Sequence, residues 1–382
     1  MYRNRLFSQA MRNVEKWNER PMAERTSPCP LAAGRTIPPM QHSWQVPVAD
    51  AGQRLDVWIE AQLPGVSRNL VQKLLRDGRC QVQPGLARPG RFLKGGENVA
   101  IEVPAVEVPT LVGEDIALNV LHEDDQLVAI DKPPGLVVHP APGHPRGTLM
   151  NAVMHRWGPI SGLAETTAGP SDTAEATGSE ADAETDEDST DLQRLGLVHR
   201  LDAETSGIIL VARTARALAH LQESFHERRV KKRYLALVAG QPRADYLTCD
   251  CAIARHPKDF RKRIAIPVGK PGGKEARTTA VVHWRGDGYS AVEARPRTGR
   301  THQIRVHLAA LGHPVLADVV YGRSRTWPLS AGPDDRNALR RQALHAWTLD
   351  LPHPDGGELN LRAPIPADLA AWLPGPIEPK LW

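Results

Sequence analysis

Apolar positions follow two kinds of pattern along this chain, and the change from one to the other divides it. In the first kind, Leu55, Trp58, Ile59 and Leu63 recur at helical spacing, and Pro64-Gly65 predicts where that helix stops. Ser67 suits an N-cap for a second helix, whose apolar stripe is Leu70, Val71, Leu74 and Leu75 and whose stop is Gly78. The opposite face of that helix carries Asn69, Gln72, Lys73 and Arg76, which by pattern alone is a solvated face. Short strands are expected at 80–82 and 99–103, so residues 43–105 read as one small module. Residues 1–42 keep no period and are broken by prolines at 21, 28, 30, 38 and 39, so a disordered, mildly basic tail is expected there.

From residue 106 the pattern changes to short continuous apolar runs. Residues 127–131 form one such run, stopped by Pro133-Pro134-Gly135, and 206–212 form another. Thr214 caps an expected helix carrying Leu218, Leu221 and Phe225 on one face. Further strands are expected at 234–238, 278–284 and 289–294. A helix is expected at 302–311, with Ile304, Leu308 and Leu311 inward and Gly312 at its end. Strands outnumber helices without regular strand–helix alternation, so residues 106–382 are expected to be α+β with a mainly antiparallel or mixed sheet. Residues 161–194 are rich in Ala, Thr, Ser, Glu and Asp and read as a mobile insertion in that domain.

Charge sharpens this division. The formal net charge is only +4, but residues 161–194 hold ten acids against one base. Without them, 47 bases face 34 acids and the remainder carries +13, which suits a polyanionic partner. No apolar run reaches membrane-spanning length, and the first twenty residues lack a secretory signal. Four scattered cysteines exclude a disulfide framework, so a cytoplasmic protein is expected.

Candidate chemistry clusters in three strings. No metal-ligand motif, phosphate-cradling loop or dinucleotide fingerprint occurs, and Cys249-x-Cys251 is poor geometry for one ion. The first string is Leu197-Val198-His199-Arg200-Leu201-Asp202, followed by Ala203-Glu204-Thr205-Ser206-Gly207 just before an apolar strand. By itself it fits a loop salt bridge as well as a reactive carboxylate. The second is Lys231-Lys232-Arg233-Tyr234, followed by a basic run over 255–263 that contains Arg261. The third opens a helix with Arg295, Arg297, Arg300 and Arg305, the last at the edge of the apolar face, where its stem can be buried.

Together, His199-Arg200-Leu201-Asp202, Lys232-Arg233-Tyr234-Leu235-Ala236-Leu237 and Gly299-Arg300-Thr301-His302-Gln303-Ile304-Arg305-Val306-His307-Leu308 resemble the RluA-type pseudouridine synthases over residues 120–350. Arg54-Leu55-Asp56, Ser67-Arg68 and Leu75-Arg76-Asp77-Gly78-Arg79 resemble the S4 RNA-binding module, with a departure at Cys80-Gln81-Val82-Gln83-Pro84-Gly85. The resemblance implies a pseudouridine synthase fold with a cleft, and a reaction that needs no cofactor or metal. It implies Asp202 as nucleophile, Arg305 as its partner, and Tyr234 as a stacking face for the base that also takes the C5 proton. Arg200 is implied to replace the flipped base, and Lys232, Arg233, Arg261 and Arg300 to hold phosphates. Arg68, Lys73 and Arg76 would bind RNA from the N-terminal module. His199 and His302 are read as structural hydrogen-bonders. The string from Leu136 to Pro145 resembles the branch that acts on a stem-loop of 23S ribosomal RNA, so that RNA or the large ribosomal subunit is the expected partner of a monomer. Transfer RNA as substrate, or a non-catalytic assembly factor, are the alternatives.

Overall fold

A computed structural model describes residues 35–380 apart from 38, 64, 65, 67, 105, 109, 110, 141–143, 159, 161–195, 260 and 323–338. The acidic insertion, most of the expected tail, the Pro64-Gly65 stop and the Ser67 cap therefore lie outside the described residues. Two compact units divide near residue 110.

In the N-terminal unit, β1 (Arg35–Ile37), β2 (Met40–Gln45), α1 (Leu55–Gln62), α2 (Arg68–Arg76), β3 (Cys80–Gln83), β4 (Asn98–Val103) and β5 (Val106–Val108) follow in order. A three-stranded antiparallel sheet has the order β2-β4-β3, and β1 pairs antiparallel with β5. This corrects both expected boundaries. The module begins before residue 43, and residues 106–108 belong to it rather than to the second domain. The sequence hid β2 because Met-Gln-His-Ser-Trp-Gln is mostly polar, and only Met40 and Trp44 pack on the core. Leu55, Ile59, Val71 and Leu74 from the two helices bury against Val99 and Ile101, as their spacing predicts.

Charge fastens the same two helices. Asp56 on α1 is fully buried and accepts bonds from Arg54 Nε at 3.1 Å, Arg68 Nε at 2.9 Å and Gln72 Nε2 at 2.7 Å. Burial alone would raise its carboxyl, but Arg54, Gln72 and Arg68 hold it well below the usual range. Arg68 and Gln72, placed by the sequence on an RNA-facing or solvated surface, thus turn Nε and Nε2 onto a buried acid, while the Arg68 side chain stays partly exposed. Lys73 and Arg76 stay exposed.

The larger unit runs from β6 (Asn119–Glu123), β7 (Leu127–Lys132), α3 (Leu149–Trp157), β8 (Ser206–Ala212) and α4 (Ala215–His226) to β9 (Lys231–Ala239), β10 (Tyr246–Cys249), β11 (Ala252–Arg255) and β12 (Arg263–Ile266). It closes with β13 (Thr278–Arg285), β14 (Tyr289–Pro296), α5 (Gln303–Ala310), β15 (Leu344–Pro352), β16 (Glu358–Arg362) and α6 (Ala367–Ala370). Nine strands make one mixed sheet of order β10-β13-β14-β9-β15-β8-β7-β6, with β16 on β15. Only β8 and β15 pair in parallel. The runs at β7 and β8 are continuous because both faces are covered. Leu127, Ala129, Ile208 and Leu210 join one core, while Val128, Ile130, Ile209 and Val211 join the other with α3.

Two expectations change here. Strand β9 starts at Lys231 rather than Tyr234, so the three cations lie inside the strand and alternate between faces. Helix α5 is buried on every side from Gln303 to Leu308, and Arg305 is 5% exposed rather than at an edge. Its polar side chains are taken inward: His307 bonds Thr278 Oγ1 and the Cys251 carbonyl, each at 2.9 Å. Leu311, expected inward, caps the helix at the partly exposed end.

Candidate active site

The loop before β8 carries Asp202, and three neighbours fix that loop, two through its backbone and one through a side chain. Lys132, fully buried at the end of β7, donates from Nζ to the carbonyls of Ala203 at 2.7 Å, Pro133 at 2.8 Å and Leu136 at 3.0 Å. Burial pulls its amine down to about 8. Arg341 Nη1 donates to the Glu204 carbonyl at 3.1 Å, and Gln342 Nε2 donates to Thr205 Oγ1 at 2.7 Å. Gly207 lets β15 pass close by, since a Cβ there would lie 2.2 Å from the Ala346 carbonyl oxygen. His199 accepts the Leu210 N–H at 2.9 Å, and burial lowers its imidazole to about 3, in keeping with a structural hydrogen-bonder.

Helix α5 delivers the partner of Asp202. Arg305 Nη1 donates to Asp202 Oδ2 at 2.7 Å. Its Nε and Nη2 grip Asp318 at 2.6 and 2.8 Å, a bidentate pair inside the protein. Burial works against the guanidinium charge, but Asp318 and Asp202 outweigh it and hold Arg305 above its ordinary value. Asp318 is fully buried; burial pushes its carboxyl up, while Arg305 and the N–H groups of Val320 and Tyr321 bring it below the usual range. Tyr321 lays its ring 5.1 Å from the Arg305 guanidinium carbon. Asp202 keeps 24% of its side chain exposed, and among the described residues no hydrogen bond is donated to its other oxygen.

Around this group lies a cleft lined by Arg200, Asp202, Lys232, Tyr234, Thr298, Arg300, His302, Gln303, Arg305 and Leu344. Gln303 shapes its rim by accepting from Thr298 Oγ1 at 2.6 Å and Arg300 N at 3.0 Å. Burial, then the charge of Asp202, raises the Tyr234 hydroxyl above its ordinary value. Its ring lines the cleft beside Asp202. Lys232 donates to the Thr298 carbonyl at 3.2 Å, and burial lowers its amine to about 8.

Not every expected cation reaches the cleft. Arg233, one residue along β9, points to the other face, where it bonds Thr348 Oγ1 at 3.1 Å and pairs with Asp350 at 3.3 Å. Strand alternation removes it from the phosphate-binding set. Arg261 sits on the β11–β12 hairpin with both ends of its fork on Asp259, outside the cleft lining. Sequence reasoning missed Lys132, Asp318, Tyr321 and Arg341. The string Asp131-Lys132-Pro133-Pro134-Gly135 drew attention only as a turn, and nothing local ties Asp318 or Arg341 to Asp202.

One group among the described residues has metal-ligand character. His122, Asp124 and His353 bring ligand atoms within 4.8 Å of one another, and no sequence motif announces them. Asp124 Oδ2 meets His122 Nε2 at 2.6 Å and His353 Nε2 at 3.0 Å, while Oδ1 accepts the N–H groups of Gln126 and Leu127. His353 Nδ1 accepts the Asp355 N–H, which places its ring proton on Nε2 toward Asp124. The group is satisfied by its own bonds and ties two hairpins together.

Comparison with known proteins agrees with this geometry. Residues 126–310 match the family model described as RNA pseudouridylate synthase. An uncharacterised RNA pseudouridine synthase of Synechocystis sp. is 38% identical over 83% of this chain and 86% of its own. The ribosomal large subunit pseudouridine synthase D of Xanthomonas campestris pv. campestris is 37% identical over 85% of this chain and 89% of its own. That of Escherichia coli K12 is 36% identical, over 83% and 89%. Similarity of this extent, running through Asp202, Tyr234 and Arg305, places the chain in the RNA pseudouridine synthase family, the isomerases that convert uridine in RNA to pseudouridine.

Proposed function

We propose that this synthase acts on large-subunit ribosomal RNA, with Asp202 as the reacting carboxylate. The observation that carries the site assignment is the 2.7 Å bond from Arg305 to one oxygen of Asp202, with the other unbonded by any described residue at the cleft. Isomerisation breaks the N1–C1′ bond, turns the uracil and joins C5 to C1′, so C5 loses a proton and N1 gains one. A carboxylate serves by attacking C1′, by helping to form a glycal or by adding to the ring. Each route needs an ionised, oriented acid, which the Arg305 and Asp318 arrangement supplies. Tyr234 offers its ring face to the base, and Arg200 fills the space a flipped nucleotide vacates. Lys232 and Arg300 hold phosphates at the rim, with Arg261 farther out. The N-terminal unit acts as an S4-like RNA-binding module through Lys73 and Arg76, which stay exposed on α2.

The ribosomal target is supported by two of the relatives compared above, both ribosomal large subunit synthases. No helix among the described residues is long and apolar enough to cross a membrane. Pseudouridine mapping in total RNA, with and without the protein, tests the reading. Positions lost with the protein should fall in large-subunit ribosomal RNA and return with the wild type but not with Asp202→Asn. Loss confined to transfer RNA overturns the target, and rescue by Asp202→Asn overturns the site.

A further inference from the structure

We propose that His302 is a positioning residue for Asp202: the Tyr321 hydroxyl locks it in the Nε2–H tautomer, and that N–H closes onto Asp202 Oδ1 when RNA enters the cleft. The inference rests on the reading of Asp202 as the reacting carboxylate and adds the element that sets its orientation.

A chain of bonds leads to the free oxygen. Tyr321 Oη accepts the Arg263 N–H at 2.8 Å and lies 2.8 Å from His302 Nδ1. The phenol has one proton of its own to place. If His302 Nδ1–H donated to it, Tyr321 would receive two N–H groups and its own O–H would have no acceptor among its described partners. Giving that proton to Nδ1 uses every group and leaves the ring proton of His302 on Nε2. Nε2 stands 3.8 Å from Asp202 Oδ1, the oxygen that Arg305 does not hold. A closure of about 1 Å makes this a hydrogen bond, the kind of tightening expected when substrate arrives.

The backbone gives independent support. Among the described residues only Arg228, His302 and Ala317 adopt positive φ without being glycine. Two of the three flank this cluster, since Ala317 directly precedes Asp318. His302 has φ 57° and ψ 16°, a left-handed conformation that costs energy in a residue with a Cβ. It occupies the N-cap of α5, yet its side chain makes no capping bond. The imidazole is therefore not retained as a cap. Burial lowers its pKa against the pull of Asp202, and the neutral ring has one proton to place.

The physical role follows from rotation. The single bond from Arg305 to one oxygen of Asp202 restrains the carboxylate but lets it rock about its last bond. A second donor on Oδ1 stops that turning and presents one lone pair to the nucleotide. Tyr321 serves both holders, with its ring over Arg305 and its hydroxyl on His302.

Selective nitrogen-15 labelling of histidine in the full-length protein reads the tautomer directly, with His302→Gly assigning the signal. The wild type should show Nε2–H, and Tyr321→Phe, which keeps the ring over Arg305, should show a mixture. Single-turnover rates at saturating RNA should fall roughly tenfold in Tyr321→Phe, with the RNA Kd unchanged. His302→Gly keeps a backbone suited to positive φ and should fall at least as far. An Nδ1–H tautomer in the wild type overturns the proposal, and needs no variant to fold. So does an unchanged rate, or a change in Kd alone, in both variants while Asp202→Asn is inactive. Turnover by Asp202→Asn removes the underlying reading instead, whatever the tautomer.

Discussion

The tripeptide Arg-Leu-Asp occurs at 54–56 and again at 200–202, with opposite outcomes. At the first, two arginines and a glutamine converge on one carboxylate, and both oxygens of Asp56 accept bonds. At the second, one arginine serves two carboxylates, and among the described residues no donor bonds the other oxygen of Asp202. Asp56 with Arg54 and Arg68 sums to one positive charge, while Asp202 with Asp318 and Arg305 sums to one negative. A saturated carboxylate holds two helices together. A carboxylate that shares its one arginine with a second acid keeps bonding capacity toward the cleft. The two sites differ in partner count rather than in the presence of an ion pair, and on the proposed reading of Asp202 that difference is what leaves it able to react.

The largest effect expected is at Asp202. Asp202→Asn should lower the single-turnover rate by roughly a thousandfold or more, while RNA affinity and the urea midpoint stay close to wild type. Next comes Asp318→Asn, which leaves Arg305 one buried charge short of compensation. It should cost on the order of 3 kcal/mol in denaturant unfolding and also slow turnover, since Arg305 loses the fork that aims it.

Asp56→Asn should do the reverse of Asp202→Asn. It should cost about 3 kcal/mol in the N-terminal unit and leave the rate at saturating RNA intact. Because the folded-state pKa of Asp56 is depressed, its stabilisation is complete above the unfolded value of about 3.9 and is lost as pH falls below it. Acid titration of unfolding should therefore be shallower in Asp56→Asn, and an equal slope in both proteins would break the comparison.

A smaller effect tests the charge of the cleft. The Lys232 amine, lowered to about 8 by burial, loses its proton as pH rises past that value. RNA affinity should weaken by a few fold between about pH 7 and pH 9, and Lys232→Arg, charged throughout, should abolish the dependence. The smallest concerns the exposed face of α2. Replacing Lys73 and Arg76 together by Ala should flatten the log–log salt dependence of RNA binding by about 1.4 if both contact single-stranded phosphates, with no change in rate.

Much of the molecule was legible in local pattern. The α1 and α2 stripes, the runs at β7 and β8, the Thr214 cap and the strings holding Asp202, Tyr234 and Arg305 are short-range signals, and the structure places each in an element of the expected kind. The ends of elements were harder to read. Strand β2 is hidden because a mostly polar edge carries little apolar periodicity, and β9 begins three residues before its apolar run because its first residues are cations.

By itself, then, the sequence determined which residue types are present and which short segments become helix or strand, because those depend on neighbours a few positions away. The sheet order, the burial of α5 on all sides and the meeting of Asp202 with Arg305, 103 residues later, were decided only by tertiary structure. So were the hold of Lys132 on Ala203 and of Asp318 on Arg305, and the different fates of two identical tripeptides. The reason is physical: a hydrogen bond requires atoms within about 3 Å in space, and distance along the chain does not encode that.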